Sequence, residues 1–124
     1  MRDYGTFIES YPTVLSTDTA GNIEAVGSDI KIFKKGDRVT AFADALGSKN
    51  PDNGAFQKNV LAKGSAVAKL PDPFSFEEGS ILPMAVATAA VGIFLYLDIP
   101  RPPTKQQGAF IVWGASSSVG TVAV

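Results

Sequence analysis

Phe110-Ile111-Val112-Trp113, then Gly114-Ala115-Ser116-Ser117-Ser118-Val119-Gly120, then Thr121-Val122-Ala123-Val124 form the last fifteen residues of the sequence. The first four are bulky and apolar and predict a short buried strand. The next seven are Gly, Ala and Ser with one Val, and predict a tight turn of the phosphate-cradling kind. The last four read as the first turn of a helix. Strand, glycine-serine turn and helix in that order are how a dinucleotide-binding βαβ unit begins. Such a unit continues into a second strand and an acidic or basic residue about 20 positions further on. The sequence reaches Val124 before either. The expectation is therefore a chain cut inside a Rossmann-type cofactor domain.

In the strict fingerprint, glycines allow a tight turn, a close backbone approach to pyrophosphate and close helix–strand packing. Here Ala115 and Ser117 stand at the first two glycine positions, and Gly120 keeps the third. A non-glycine residue held left-handed costs roughly 1–2 kcal/mol. The compensating feature is the helix start, whose free N–H groups and positive dipole end favour an anion. Ser116, Ser117, Ser118, Val119 and Gly120 are the candidate cofactor-binding residues, the three hydroxyls adding donors. The competing reading is an ordinary βα turn with a serine N-cap.

The composition narrows the function classes. The 124 residues are 45% hydrophobic and 19% charged, which describes a globular chain rather than a disordered one. Eleven basic and twelve acidic residues leave a net charge of −1, and no basic run exceeds Lys34-Lys35. A nucleic-acid partner is not expected on that charge pattern. Cys and His are both absent. That excludes a disulfide scaffold, a thiolate or imidazole zinc site, and catalysis by Cys or His of this chain. The N-terminus, Met1-Arg2-Asp3-Tyr4, has no apolar signal core, so the expected location is cytoplasmic. Residues 79–97 carry no charge and approach a bilayer-spanning length. Pro83, Thr88, Gly92, several alanines and the lack of basic flanks favour a helix buried in protein, with no membrane partner.

Along the chain, residues 13–70 are strand-and-turn material. Asp18 to Val26, Arg38 to Phe42 and Phe56 to Leu61 read as strands of one largely antiparallel, barrel-like sheet, with Val67 to Leu70 a further short one. Gly27-Ser28-Asp29, Lys34-Lys35-Gly36-Asp37 and Asp52-Asn53-Gly54 are turns. Ser75-Phe76-Glu77-Glu78 has capping-box spacing and opens a helix ending near Leu82, before Pro83. Pro83 opens a second helix to about Leu97, apolar nearly all round. Ile99-Pro100-Arg101-Pro102-Pro103 stops it as a stiff connector.

Longer patterns carry a family resemblance. Tyr11-Pro12-Thr13-Val14-Leu15-Ser16-Thr17-Asp18-Thr19-Ala20-Gly21, Glu24-Ala25-Val26-Gly27 and Phe33-Lys34-Lys35-Gly36-Asp37-Arg38-Val39 resemble the medium-chain dehydrogenase/reductase superfamily in its GroES-like domain. Gly54-Ala55-Phe56, Lys69-Leu70-Pro71-Asp72, Ser75 to Glu78, Thr88-Ala89 and Trp113 to Gly120 follow in the order of that family. The last of these resembles the serine-rich cofactor loop of its zinc-free reductases. The resemblance implies a mixed α+β architecture. Residues 1–75 would be a GroES-like, distorted antiparallel β-barrel lacking its N-terminal strands. Residues 76–103 would be linking helices and connector, and residues 104–124 the start of a truncated Rossmann domain.

Departures set the subtype. Zinc alcohol dehydrogenases have Gly-His-Glu where this chain has Ser16-Thr17-Asp18, and their cysteine-rich lobe falls near residues 41–54, where no Cys occurs. The likeness is to the zinc-free branch of quinone and enoyl reductases, although that branch usually has Gly at position 16. Relatives also carry some 40–50 residues before the point matching Asp3-Tyr4-Gly5, so the chain is expected to be truncated at both ends. The implied activity is hydride transfer from NADPH, with NADH not excluded, to a small-molecule quinone, enone or related carbonyl compound. Thr88 would lie near the nicotinamide or its ribose; alternatively its hydroxyl bonds its own helix at Met84. Asp18 matches an acidic position near the cleft and is the one weak catalytic candidate, against a plain turn or ion-pair role. The alternative function is a stand-alone, non-catalytic GroES-like module that binds another protein. Substrate, oligomeric state and NAD or NADP preference are not legible.

Without Cys or His, the chain should hold no stoichiometric zinc after dialysis. Elemental analysis checks this, and about one tightly held zinc per chain would contradict the zinc-free assignment.

Overall fold

The computed structural model describes residue 8, residues 11–105 and residues 107–124. The chain divides into two compact units, Met1–Pro83 and Met84–Val124.

The first unit is built on a three-stranded antiparallel sheet of order β1-β2-β3: β1 (Asp18–Asn22), β2 (Arg38–Phe42) and β3 (Val67–Lys69). Asp18 pairs with Phe42 and Asn22 with Arg38, while Val39 pairs with Lys69 and Ala41 with Val67. In β2, Val39 and Ala41 face inward and are buried, alternating with Arg38, Thr40 and Phe42 as the period of two requires. The turn at Lys34 to Asp37 forms as the sequence implies. Gly36 takes φ +88°, and the Asp37 carboxylate accepts from the Lys34 N–H at 3.1 Å.

Two strand expectations need correction. The strand expected over residues 18–26 ends at Asn22, with one more link where the Ile23 N–H donates to the Asp37 carbonyl at 3.0 Å. The chain then turns at Gly27, whose carbonyl accepts from Ile30, and Val26 is exposed. The run Phe56 to Leu61 is a series of bends, not a strand. Only its start is held, by Ala55 and Phe56 donating to the Ser16 and Leu15 carbonyls, and the Gln57 N–H folds back to the Ala55 carbonyl at 2.8 Å. Phe56 and Leu61 are exposed, so no facing layer rewards extended pairing. Among the described residues the sheet is open rather than a closed barrel. It borders a groove of about 660 Å³ lined in part by Ile23, Val26, Phe33, Val60, Leu61 and Val67.

In the intervening loop a four-residue helix, α1 (Ala45–Ser48), ends with Lys49 left-handed at its C-cap. The next helix is α2 (Phe76–Ser80), and its capping box is complete. Ser75 Oγ accepts from the Glu78 N–H at 3.2 Å, and Glu78 Oε2 accepts from the Ser75 N–H at 2.8 Å. At the same end, bonding to its backbone N–H and then to the Ser75 hydroxyl holds the Glu77 carboxyl below its ordinary range. That contribution is full above the ordinary carboxylate value and is lost as pH falls through the lowered folded value. α2 docks on the sheet at close range. Thr40 Oγ1 donates to the Gly79 carbonyl at 2.7 Å. A Cβ on Gly79 would come within 2.8 Å of Leu70 Cδ2 and 3.4 Å of Ala20 Cβ. The Arg38 guanidinium donates to the carbonyls of Pro71, Asp72 and Phe74 and lies 4.8 Å from the Phe76 ring centroid.

α2 ends at Ser80, slightly before the end expected near Leu82, and α3 (Pro83–Val91) opens at Pro83 as the sequence implies; from Met84 it belongs to the second unit and runs into a π-helical turn (Gly92–Tyr96). The helix was expected to be buried on several sides. Of its residues only Ala85 and Ala89 are buried, while Met84, Val86 and Val91 are exposed and so are Leu95 and Tyr96 of the π turn. By length and composition the helical run Phe76–Tyr96 also suffices to cross a membrane, a property shared by core helices of soluble proteins. The expected strand Phe110 to Trp113 is absent: these residues are extended or turning without a partner strand, and Trp113 is 98% exposed. A strand exists through its ladder, and none is offered among the described residues. The unit ends in α4 (Ser118–Ala123), three residues earlier than the helix start expected at Thr121.

Among the described residues the buried apolar ones are Val39, Ala41, Ala43, Ala55 and Leu70 in the first unit and Ala85 and Ala89 in the second. Among the described residues no large side chain is fully buried, whereas Phe56, Tyr96, Ile111 and Trp113 are widely exposed. At roughly 25 cal/mol per Å², a few hundred Å² of apolar surface left in water forfeits several kcal/mol, comparable with a domain's whole stability of about 5–15 kcal/mol. The 124-residue chain on its own should therefore bind a hydrophobic dye and melt over a broad range. A sharp calorimetric transition from a monomer would contradict this.

Candidate functional site

Two places carry the sequence-derived site residues, one in each unit. In the first, residues 15–17 enter β1 clamped between two other segments. The Thr17 carbonyl accepts from the Ala43 N–H at 2.6 Å, just past β2. The Ser16 and Leu15 carbonyls accept from Ala55 and Phe56 at 2.9 and 3.0 Å. Gly54 makes the second clamp possible: a Cβ there would stand 2.3 Å from the Val14 carbonyl oxygen. Ala43 and Ala55 are buried beside the clamp.

Within this frame Thr17 is 8% exposed, and its Oγ1 donates to Asp18 Oδ2 at 3.3 Å. Asp18 is half-buried at the first residue of β1, opposite Phe42. Ser16 has φ +74°. That left-handed setting costs a serine roughly 1–2 kcal/mol and persists because neighbouring bonds over-determine it. The sequence comparison marked position 16 as unusual; the backbone angle supplies the physical reason a glycine suits it.

In the second unit, the loop takes a form that shares features of both sequence readings. Ser117 is the N-cap of α4: its Oγ accepts from the Gly120 N–H at 3.1 Å and donates to the Gly114 carbonyl at 2.8 Å. Its hydroxyl is therefore committed within the turn, as the N-cap reading requires. Ser116, Ser118 and Val119 are exposed. Gly120 is buried, and a Cβ on it would stand 2.2 Å from the Gly114 carbonyl oxygen, so the turn and the helix need a glycine there. The left-handed residue is Gly114, φ +82°, not Ala115 or Ser117. Aligning the glycine pattern on 115, 117 and 120 missed it; its place directly after the apolar run was the available signal. As a cradle for a phosphate-bearing cofactor the loop offers the Ser116 and Ser118 hydroxyls and the first N–H groups of α4, a donor set that fits an anion. Thr88 lies on an exposed part of α3, between the buried Ala85 and Ala89.

The model of the alcohol dehydrogenase GroES-like domain matches residues 1–72. The trans-enoyl reductase tndF of Aspergillus flavipes is 46% identical over 129 aligned residues, covering 99% of this chain and 37% of that protein. An alcohol dehydrogenase superfamily protein of Novosphingobium aromaticivorans superposes with a TM-score of 0.73 at 26% identity, over 90% of this chain and 32% of that one. The yhdH oxidoreductase of Salmonella enterica, solved in complex with NADP, gives 0.62 at 28% identity, over 94% and 34%. The chain thus spans only about a third of the length of these relatives.

Replacing Gly54 by Ala forces a methyl against the Val14 carbonyl, next to the Leu15 and Ser16 carbonyls that accept from Phe56 and Ala55. In any longer form of the protein that unfolds cooperatively, G54A should cost about 2–4 kcal/mol, read as a lowered denaturant midpoint. An unchanged midpoint would contradict the clamp.

Proposed function

We propose a function from the family to which this chain belongs, that of the alcohol dehydrogenase GroES-like domain in the medium-chain dehydrogenase/reductase superfamily: its protein reduces a conjugated carbonyl compound with NADPH. The observation carrying the reading is the Gly114–Gly120 turn, closed by Ser117 on α4 with exposed hydroxyls at 116 and 118. The 46% identity to a trans-enoyl reductase supports an enone or enoyl acceptor over a simple alcohol. A quinone has the same conjugated C=C–C=O pattern and stays within the proposed class.

A nicotinamide cofactor, when bound, would supply a hydride to the β-carbon of the acceptor; the C=C electron pair would shift toward the carbonyl oxygen and a proton from water would complete the α-carbon, leaving the cofactor oxidised and the C=C bond reduced. Residues of this chain bind and orient. The Ser116 and Ser118 hydroxyls and the N–H groups of Ser118 and Val119 would hold cofactor phosphate, while Ser117 and Gly120 keep the turn in shape. Thr88 is proposed to face the nicotinamide or its ribose, and Asp18 remains a weak catalytic candidate. No zinc is required, since hydride addition to a conjugated acceptor needs orientation and charge stabilisation rather than a Lewis acid on an alcohol oxygen. On this reading residues 1–75, 76–103 and 104–124 are the GroES-like part, the linking helices and the opening of a Rossmann domain, in a cytoplasmic protein.

The test is to express the segment together with its flanking coding sequence and measure NADPH binding by fluorescence alongside enone, enoyl-thioester and quinone reduction. Binding and turnover are expected, and G120A should weaken NADPH binding about tenfold or more by opening the turn. A folded protein with neither binding nor turnover would refute the reading and favour the non-catalytic module.

A further inference from the structure

Three non-glycine residues among those described have a positive φ: Ser16, Lys49 and Asp98. Two have an ordinary structural cause. Lys49 is the C-cap of α1, and Asp98 follows Leu97, the C-cap of the π-helical turn. Left-handed residues close helices in this way. Ser16 closes no helix; it lies in the irregular stretch entering β1. Its carbonyl takes part in the clamp, accepting from Ala55, with the Leu15 and Thr17 carbonyls bonded on either side. Its side chain is not used: the half-buried hydroxyl makes no hydrogen bond to another described residue. The fold would be served better by glycine, which takes this backbone setting without strain.

The neighbouring side chain shows the contrast. Thr17 is buried, with its hydroxyl engaged by Asp18. The tripeptide thus presents one hydroxyl tied inward and one left available, on a backbone fixed from two sides. A donor carried on a backbone held in this way suits an oxygen on which negative charge develops.

We propose that Ser16 contacts the acceptor substrate, its hydroxyl donating a hydrogen bond to the carbonyl oxygen of the conjugated system. This rests on the reaction proposed above and adds a specificity-determining residue to it. Ser16 stabilises the oxygen that gains charge as the hydride arrives; it transfers no proton and forms no bond of its own.

Two substitutions separate the hydroxyl from the strain. Ser16→Ala removes the hydroxyl and keeps the strained Cβ. Ser16→Gly removes both and should raise the melting temperature by roughly 2–4 °C. In the protein expressed with its flanking coding sequence, both variants should lose about tenfold in kcat/KM for an enone, with the KM for NADPH unchanged. A passenger serine would give the stabilised glycine variant with undiminished turnover, and kcat/KM within about twofold of the parent in both variants overturns the proposal. A parent protein that binds NADPH yet reduces no conjugated acceptor overturns the proposed reaction, and this inference with it.

Discussion

Three backbone hydrogen bonds at residues 15–17 fix the first unit. They come from two distant segments: Ala43 reaches Thr17, and Ala55 with Phe56 reach Ser16 and Leu15. Together they set where β1 begins, and therefore which residue faces Phe42. A slip of one residue would exchange the two faces of the strand. It would turn Ala20 away from Gly79 and take Thr19, whose carbonyl Thr40 Oγ1 meets at 3.3 Å, out of reach. The docking of α2 thus follows from the clamp, and Arg38, itself in β2, reinforces it by donating to the Pro71, Asp72 and Phe74 carbonyls just before the helix. The price is local, a serine held left-handed at position 16.

Signals confined to a few residues were legible in the sequence. The capping box at Ser75 and Glu78, the break before Pro83, the Gly36 turn and the alternation of β2 each depend on chemistry within four or five positions. Expectations that needed a distant partner fared otherwise. Phe56 to Leu61 and Phe110 to Trp113 have strand composition, yet composition supplies no ladder and neither run is a strand. The same holds for burial: an apolar helix at residues 83–97 predicts an enclosing surface, and most of that helix is exposed.

The site was partly legible. Position 16 stood out by comparison with the family pattern, and Gly120 by its place in the glycine pattern. The close approaches that explain both are three-dimensional, between Gly54 and Val14 and between Gly120 and Gly114. Ser117 shows why residue type alone is insufficient. Of three adjacent serines, one caps the helix and two stay exposed, and only the helix boundary at Ser118 distinguishes them.

The account stands or falls on hydride delivery to a conjugated carbon. The direct measurement uses NADPH deuterated at nicotinamide C4 with an enone acceptor and the protein expressed with its flanking sequence, followed by NMR of the product. The account predicts deuterium at the β-carbon, on one face of the product, and a solvent-derived proton at the α-carbon. Deuterium on the carbonyl carbon, giving an allylic alcohol, or no transfer by a protein that binds NADPH, would contradict it.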